Sequence, residues 1–217
     1  MEIKKKELAD LRENYGISTL LESEIDKNPF LQFQKWIESA IKEKIVDSNA
    51  MTLATVGIDG QPSARTVLLK NYSEKGFVFF TNYESKKANQ MAENERVTLL
   101  FWWKEMERQI RIEGIAQKIP LEESKLYFYA RPKGSQISAL ISPQSKPVER
   151  DYLEKSFIEM MEKQDGTDKI PFPHNWGGYM VVPHLFEFWQ GRPNRLHDRL
   201  QFSYTVNGDW KMERLGP

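Results

Sequence analysis

The chain contains no cysteine. Disulfides, thiolate metal ligands and a cysteine nucleophile are therefore excluded together, and nothing points to an oxidising compartment. Nor is there an excess of charge of either sign: 31 lysines and arginines stand against 31 aspartates and glutamates in 217 residues. No global field draws such a chain to nucleic acid or to an acidic membrane, so any anion site must be built locally. No apolar run approaches the length of a membrane span. The stretch from Met1 to Asp10 is charged and lacks the apolar centre of a signal peptide. A soluble, cytoplasmic protein is expected, with no nucleic-acid or membrane partner.

Chemical fingerprints are scarce as well. The three histidines, His174, His184 and His197, have no metal-ligand spacing, and HExxH, GxSxG, the Walker loop and GxGxxG are all missing. No metal is expected. A chain without these motifs can still be an enzyme when a cofactor supplies the reactivity.

Core-forming residues are plentiful: 40% of the chain is hydrophobic, with 12 Phe, 8 Tyr and 6 Trp. That excludes disorder as the dominant state. Residues 1–28 are polar and read as an N-terminal segment, with a single domain over 29–217. Phe30, Phe33, Trp36, Ile37, Ala40, Ile41 and Ile45 recur at helical spacing and predict a helix from Pro29 to Val46. Strands follow at Met51–Val56, Ala64–Lys70, Phe77–Asn82, Val97–Trp103 and Arg108–Ile119, with an Asp59-Gly60 turn after the first. A short helix is expected over Ser85–Asn94, with Ser85 as its N-cap. Further helices are expected at Leu121–Ala130, Ser135–Ile141 and Glu149–Lys163, then strands at Tyr179–Val182 and Leu185–Trp189 and a closing hairpin turning at Asn207-Gly208. Antiparallel strands at short spacing with peripheral helices predict a mainly β fold, a small barrel rather than a parallel sheet.

Four clusters of cationic side chains stand out. Arg65 and Lys70 flank an apolar TVLL; five apart, they point to opposite faces of a regular strand. Lys86 and Lys87 open a helix, where free amides and the positive dipole end favour phosphate, although a solvated lysine pair is the plainer alternative. Tyr127, Arg131 and Ser135 can form either an ordinary helix end or a clamp of one guanidinium and two hydroxyls. Finally, Trp189, Arg195, His197 and Arg199 crowd into EFWQGRPNRLHDR, and alternation aligns the last three if that segment is extended. A surface for RNA stacking is the competing reading of this cluster, and the neutral charge balance argues against it.

In this order the clusters resemble the pyridoxine (pyridoxamine) 5′-phosphate oxidase family. The match runs from LRENY (Leu11–Tyr15) to the C-terminal RLGP, by way of RTVLLK, FFTN followed by SKK, ERQIRIEG, YFYARPKGSQI, Gln144-Ser145 and WGG. Its most specific piece is Glu187-Phe188-Trp189-Gln190, four residues, then Arg195-Leu196-His197-Asp198-Arg199. The resemblance implies an FMN-binding split β-barrel working as a homodimer, with active sites at the subunit interface. It implies an oxidase that makes pyridoxal 5′-phosphate from the alcohol or amine B6 phosphate, with dioxygen as electron acceptor. Arg65, Thr66, Val67, Leu68, Leu69, Lys70, Phe80, Thr81, Lys86, Lys87, Gln109, Gln144, Ser145, Trp189 and Arg199 would bind FMN, Phe80 and Thr81 mainly through backbone. Lys70, Tyr127, Arg131 and Ser135 would clamp the substrate phosphate. Arg195 and His197 would lie over the pyridine ring as the catalytic pair, positioning the substrate and handling its proton. Arg12 and Tyr15 would belong to an N-terminal segment folding over the occupied site. One departure is Ser85-Lys86-Lys87, where the family often has Ser-Arg-Lys; lysine keeps the charge but loses the planar fork. A split-barrel reductase with another electron donor and a non-enzymatic flavin or pyridoxal-phosphate carrier are the alternatives.

Overall fold

The computed structural model describes residues 14–166 and 169–217. It is mainly β with peripheral helices, as the sequence pattern predicts, and among the described residues it has nine strands and five α-helices. In chain order the strands are β1 (Ala50–Val56), β2 (Pro62–Leu68), β3 (Asn71–Ser73), β4 (Gly76–Asn82), β5 (Arg96–Trp103), β6 (Arg108–Lys118), β7 (Trp176–Gln190), β8 (Asp198–Tyr204) and β9 (Trp210–Arg214). Their pairing runs β2–β1–β5–β6–β7–β4–β3, with β8 added to β7 and β9 to β8. The chain divides into two compact units, one of Asn49–Leu99 and Glu113–His184, the other of residues up to Ser48, Leu100–Ile112 and Leu185–Pro217. No helix among the described residues is long and apolar enough to cross a membrane.

The unit containing Asn49–Leu99 begins with an antiparallel hairpin of β1 (Ala50–Val56) and β2 (Pro62–Leu68). Residues of β1 are buried on alternate positions, Met51, Leu53 and Thr55, as a strand with one face on a core requires. Asp59-Gly60 turns the hairpin within a five-residue loop, with Gly60 at φ +72°. After β2 the chain changes partner: Leu69 N–H donates to Asn49 carbonyl, and the next residue, Lys70, donates to Val78. Then come β3 (Asn71–Ser73), β4 (Gly76–Asn82) and the helix α2 (Lys86–Glu93). Three more helices follow β6 (Arg108–Lys118): α3 (Leu121–Ala130), α4 (Lys133–Ile141) and α5 (Arg150–Lys163). Phe128, Ile137, Ile170 and Trp176 form the buried cluster beneath them.

In the other unit α1 spans Pro29–Lys42, four residues shorter than its apolar spacing suggests. Asn28 caps it by accepting from Phe30 N–H at 2.9 Å, and Pro29 takes the first-turn place where no donor is needed. Its end is a Schellman motif: Ile45 N–H reaches Ala40 carbonyl, Lys44 N–H reaches Ile41 carbonyl, and Lys44 sits at φ +57°. Ile41 and Val46 are thereby left exposed. Phe30 packs on Phe186, Phe33 on Phe101 and Trp36 on Phe188; each such ring stabilises the fold by roughly 1.5–3 kcal/mol through burial. The hairpin of β8 (Asp198–Tyr204) and β9 (Trp210–Arg214) turns over Asn207-Gly208.

The two short strands expected around Pro183 are one, β7 (Trp176–Gln190). Proline does not end it because pairing to β4 stops at Val181 and pairing to β8 starts at Leu185. The missing N–H falls where that edge changes partner and no ladder bond is lost.

Candidate active site

A cavity of about 970 Å³ opens in the unit that holds β1–β4, near the upper end for ligand sites. Among the described residues five cations line it, Arg65, Lys70, Lys86, Lys87 and Arg131, and no carboxylate does. For a chain with equal numbers of acids and bases, that is a strong local segregation of charge.

One end is built on the start of α2. Lys87 is buried, yet its ammonium meets only neutral oxygens: Thr81 Oγ1 at 3.0 Å, Gln144 Oε1 at 3.0 Å and Ser85 Oγ at 3.2 Å. Burial, with the charge of Arg65 adding to it, lowers the Lys87 pKa to about 8. Arg65 is fixed by donating Nη1 to Leu53 carbonyl at 3.1 Å and to Thr55 Oγ1 at 2.5 Å. Thr55 in turn donates to the buried Gln90 at 2.7 Å. Ser85 occupies the N-cap position, but its hydroxyl donates back to Asn82 carbonyl and makes no cap bond. Lys86 N–H donates to Ser145 Oγ at 3.2 Å, with Ser145 held at φ +73°.

The other end is built where α3 passes into α4. Tyr127 lies in α3; Arg131 is already past the helix, at φ −78° and ψ 152°; Ser135 lies in the first turn of α4. A break in the helix thus separates Tyr127 from Arg131, and Gln136 holds the break by donating to Arg131 carbonyl at 2.8 Å. Phe80, Tyr127 and Trp176 stack nearly parallel, with centroids 3.9 Å apart for Phe80–Tyr127 and 5.3 Å for Phe80–Trp176. The Arg131 guanidinium lies over the Trp176 ring at 4.9 Å. Its Nη1 is buried and has no hydrogen-bond partner among the described residues. Burial lowers the Arg131 pKa, opposed by Tyr127. A desolvated donor of this kind is costly unless something occupies the cavity.

Arg65 and Lys70 were expected on opposite faces; both line this cavity. The strand ends at Leu68 and the change of partner between Leu69 and Lys70 breaks the alternation. Thr66, Val67, Leu68, Phe80, Thr81, Gln144 and Ser145 also line it, whereas Leu69 is buried and does not. Sequence reasoning missed Asn82, Pro132, Ser138, Ala139, Ser142 and the lining role of Trp176. Small residues on α4 carry no signal of their own; Asn82 and Trp176 lay inside the quoted FFTN and WGG.

Gln109, Trp189, Arg195, His197 and Arg199 belong to the other unit and do not line the cavity. There the Trp189 and His197 rings meet at a tilt of 41° with centroids 4.6 Å apart, and Tyr15 meets both edge-on at 5.7 and 5.6 Å. Glu107 fixes the chain beyond Tyr15 by accepting from Gly16 and Ile17 amides at 2.8 and 3.0 Å. Arg199 donates to the buried Glu187 at 2.8 Å and to Gly216 carbonyl at 2.7 Å; Arg111 holds the other Glu187 oxygen at 2.6 Å. Arg195 is not extended: it closes a short 3₁₀ turn at φ +61°, so the expected alternation with His197 and Arg199 fails. Arg12 lies outside the described residues. Among the described residues no group of acids and histidines could hold a metal.

Fold and cavity together define a mainly β protein that presents two positively charged ends of one large cavity to anionic ligands. The family model described as pyridoxamine 5′-phosphate oxidase matches residues 37–160, and that of the pyridoxine 5′-phosphate oxidase C-terminal dimerisation region matches residues 176–217. The chain belongs to the pyridoxine/pyridoxamine 5′-phosphate oxidase family. Relatives of that name from Nostoc punctiforme and Bordetella petrii are each 50% identical, over 98% and 97% of this chain and 99% of theirs. Among solved structures, PhzG from Burkholderia lata, in complex with tetrahydrophenazine-1-carboxylic acid, superposes with a TM-score of 0.85 at 28% identity, covering 92% of this chain and 98% of that one. A pyridoxamine 5′-phosphate oxidase-related, FMN-binding protein from Nostoc punctiforme shares the fold, with a TM-score of 0.70 at 18% identity over 85% of this chain and 97% of its own. The fold is the split β-barrel expected from the sequence.

Proposed function

We propose that the protein is an FMN-dependent oxidase converting pyridoxine 5′-phosphate or pyridoxamine 5′-phosphate to pyridoxal 5′-phosphate. Dioxygen is the electron acceptor, hydrogen peroxide is released, and the amine also yields ammonia. The observation that carries this reading is the cavity lined by five cations and no carboxylate, with a buried ammonium at one end and a partnerless guanidinium nitrogen at the other. Two phosphorylated ligands side by side need two such ends. The relatives named for this activity at 50% identity support the same choice.

FMN fits these residues: its phosphate suits Arg65, Lys86, Lys87 and Ser145, and the edge of β2 from Thr66 to Leu68, with Phe80, Thr81 and Gln144, offers walls for its ring system. Held there, FMN would supply the acceptor for the hydride equivalent and the route of its electrons to dioxygen. Lys70, Tyr127, Arg131 and Ser135 hold the substrate phosphate, and the Trp176 ring keeps the Arg131 fork from swinging away. Anchoring both phosphates restricts the reacting carbon to one approach and lowers the entropic part of the barrier. Arg195 and His197 face the pyridine ring, and Tyr15 packs beside His197.

The protein works as a homodimer, with the active site at the subunit interface. A family model of a C-terminal dimerisation region matches residues 176–217, the stretch that carries Trp189, Arg195, His197 and Arg199, which supports this reading. A cysteine-free chain suits a reducing compartment, and the cytoplasm is the compartment proposed. The purified protein should be yellow, and should release peroxide and aldehyde in air on addition of pyridoxine 5′-phosphate without nicotinamide. A colourless protein that cannot be reconstituted with FMN would rule the reading out; turnover only with nicotinamide would make it a reductase.

A further inference from the structure

On the oxidase reading above, His197 takes a more specific part than proton handling. Its Nδ1 accepts the backbone N–H of Arg192 at 3.1 Å. A ring nitrogen that accepts carries no proton, so the single proton of the neutral imidazole is on Nε2. The opposite tautomer would set two N–H groups against each other at that distance, and so would the imidazolium.

The Arg192 amide is not free to turn away. Gly191 N–H donates to Glu107 carbonyl at 2.8 Å, and Leu196 N–H closes the turn on Pro193 carbonyl at 3.1 Å. The Arg192 side chain donates Nη1 to Asp198 Oδ2 at 3.0 Å. Asp198 is buried and also accepts from Leu20 N–H at 3.0 Å and Arg214 Nη1 at 2.8 Å. The ring is gripped in turn by Trp189 and Tyr15. Burial and the charge of Arg195 lower the His197 pKa, with Asp198 pulling the other way, which agrees with a neutral ring.

We infer that His197 serves as a hydrogen-bond donor through Nε2 and not as a general base there, and that Arg192 and Asp198 are positioning residues that fix this tautomer. Nε2 already carries its proton, so it has no lone pair for the proton of the substrate's hydroxyl or ammonium. What it can bind is an acceptor on the B6 ring, such as a phenolate oxygen.

Histidine-selective ¹⁵N labelling of the holoenzyme tests this. The chain has three histidines, and the signals missing from His197→Gln assign the one in question. The expected spectrum at neutral pH has Nε2 protonated and Nδ1 bare; a protonated Nδ1 would overturn the inference. Arg192→Ala should let the Nδ1–H form appear beside the first, and an unchanged spectrum would remove Arg192 from its positioning part. Glutamine places an N–H₂ donor near Nε2 but cannot act as a base near neutrality. His197→Gln should therefore turn over about tenfold or more faster than His197→Ala, the span of one charge-assisted hydrogen bond. Equal losses would overturn the donor role. The nitrogen spectrum does not depend on turnover, so a wild-type protein inert toward B6 phosphates would end the oxidase reading and leave the tautomer result standing.

Discussion

At Lys87 two requirements of an anion site conflict. The ammonium must be dry enough to grip a phosphate, yet drying it favours the neutral amine and brings its pKa down to about 8. A phosphate needs the charged form, so affinity for FMN should fall as pH rises through about 8. Lys87→Ala should weaken FMN binding about tenfold or more, as loss of one charge-assisted hydrogen bond implies, and should remove that pH step; flavin fluorescence titration at pH 7 and 9 reads both. The linkage for the ligand-free protein has the opposite sign. The unfolded chain keeps the Lys87 proton up to its ordinary pKa of 10.5 and the folded chain releases it near 8, so folding stability from this group rises with pH across that window. Arg131 makes a complementary case. Its buried Nη1 has no partner, so Arg131→Leu should cost the ligand-free protein little stability while raising the substrate KM about tenfold or more, with the FMN dissociation constant unchanged. A shared loss of FMN would place Arg131 at the flavin phosphate instead.

At the scale of elements, position matters where a backbone passes close. Gly76 begins β4 at φ +148°, and a Cβ there would overlap the Val181 carbonyl on β7. Gly76→Ala should therefore lower stability by about 2 kcal/mol or more, through strain and the displaced strand, as a fall in urea midpoint without a change in slope. Most elements were legible because period and punctuation agreed: α1 from its apolar spacing, α2 from Ser85, the hairpins from Asp59-Gly60 and Asn207-Gly208. The departures share one cause, a tertiary partner that local pattern cannot show. Pro183 reads as a strand break until β7 is seen exchanging β4 for β8 there. Lys70 reads as facing away from Arg65 until the chain is seen leaving β1 for β4. Arg195 reads as extended until Asn194 and Arg195 are found at positive φ. In the site, charged residues such as Lys87 and Arg131 were legible because cations in ordered segments are conspicuous. Ser138 and Ala139 were not, since a helix face lining a cavity reads like any other helix face, and Ser142, just past that helix, carries no signal either.

At the scale of the whole molecule, the groups proposed for one reaction belong to both units of the chain. The cavity carries both phosphate-holding ends, while the proposed catalytic pair, Arg195 and His197, does not line it. In a two-fold dimer each copy can lend its pair to the other's cavity. Two variants separate this arrangement from a site contained within one chain. Arg195→Leu spoils the catalytic pair and should lower turnover far more than flavin content; Arg131→Leu spoils the cavity. Assayed with substrate well below the wild-type KM, each homodimer should keep about a tenth of the wild-type activity or less. If the site is shared, a mixed dimer has one cavity that is intact and faces an intact Arg195, and one that lacks both. Unfolding and refolding equal amounts together makes half the dimers mixed, so activity should recover to about a quarter of the wild-type value. If each chain carried its whole site, every site in the mixture would still contain one lesion and no activity would return.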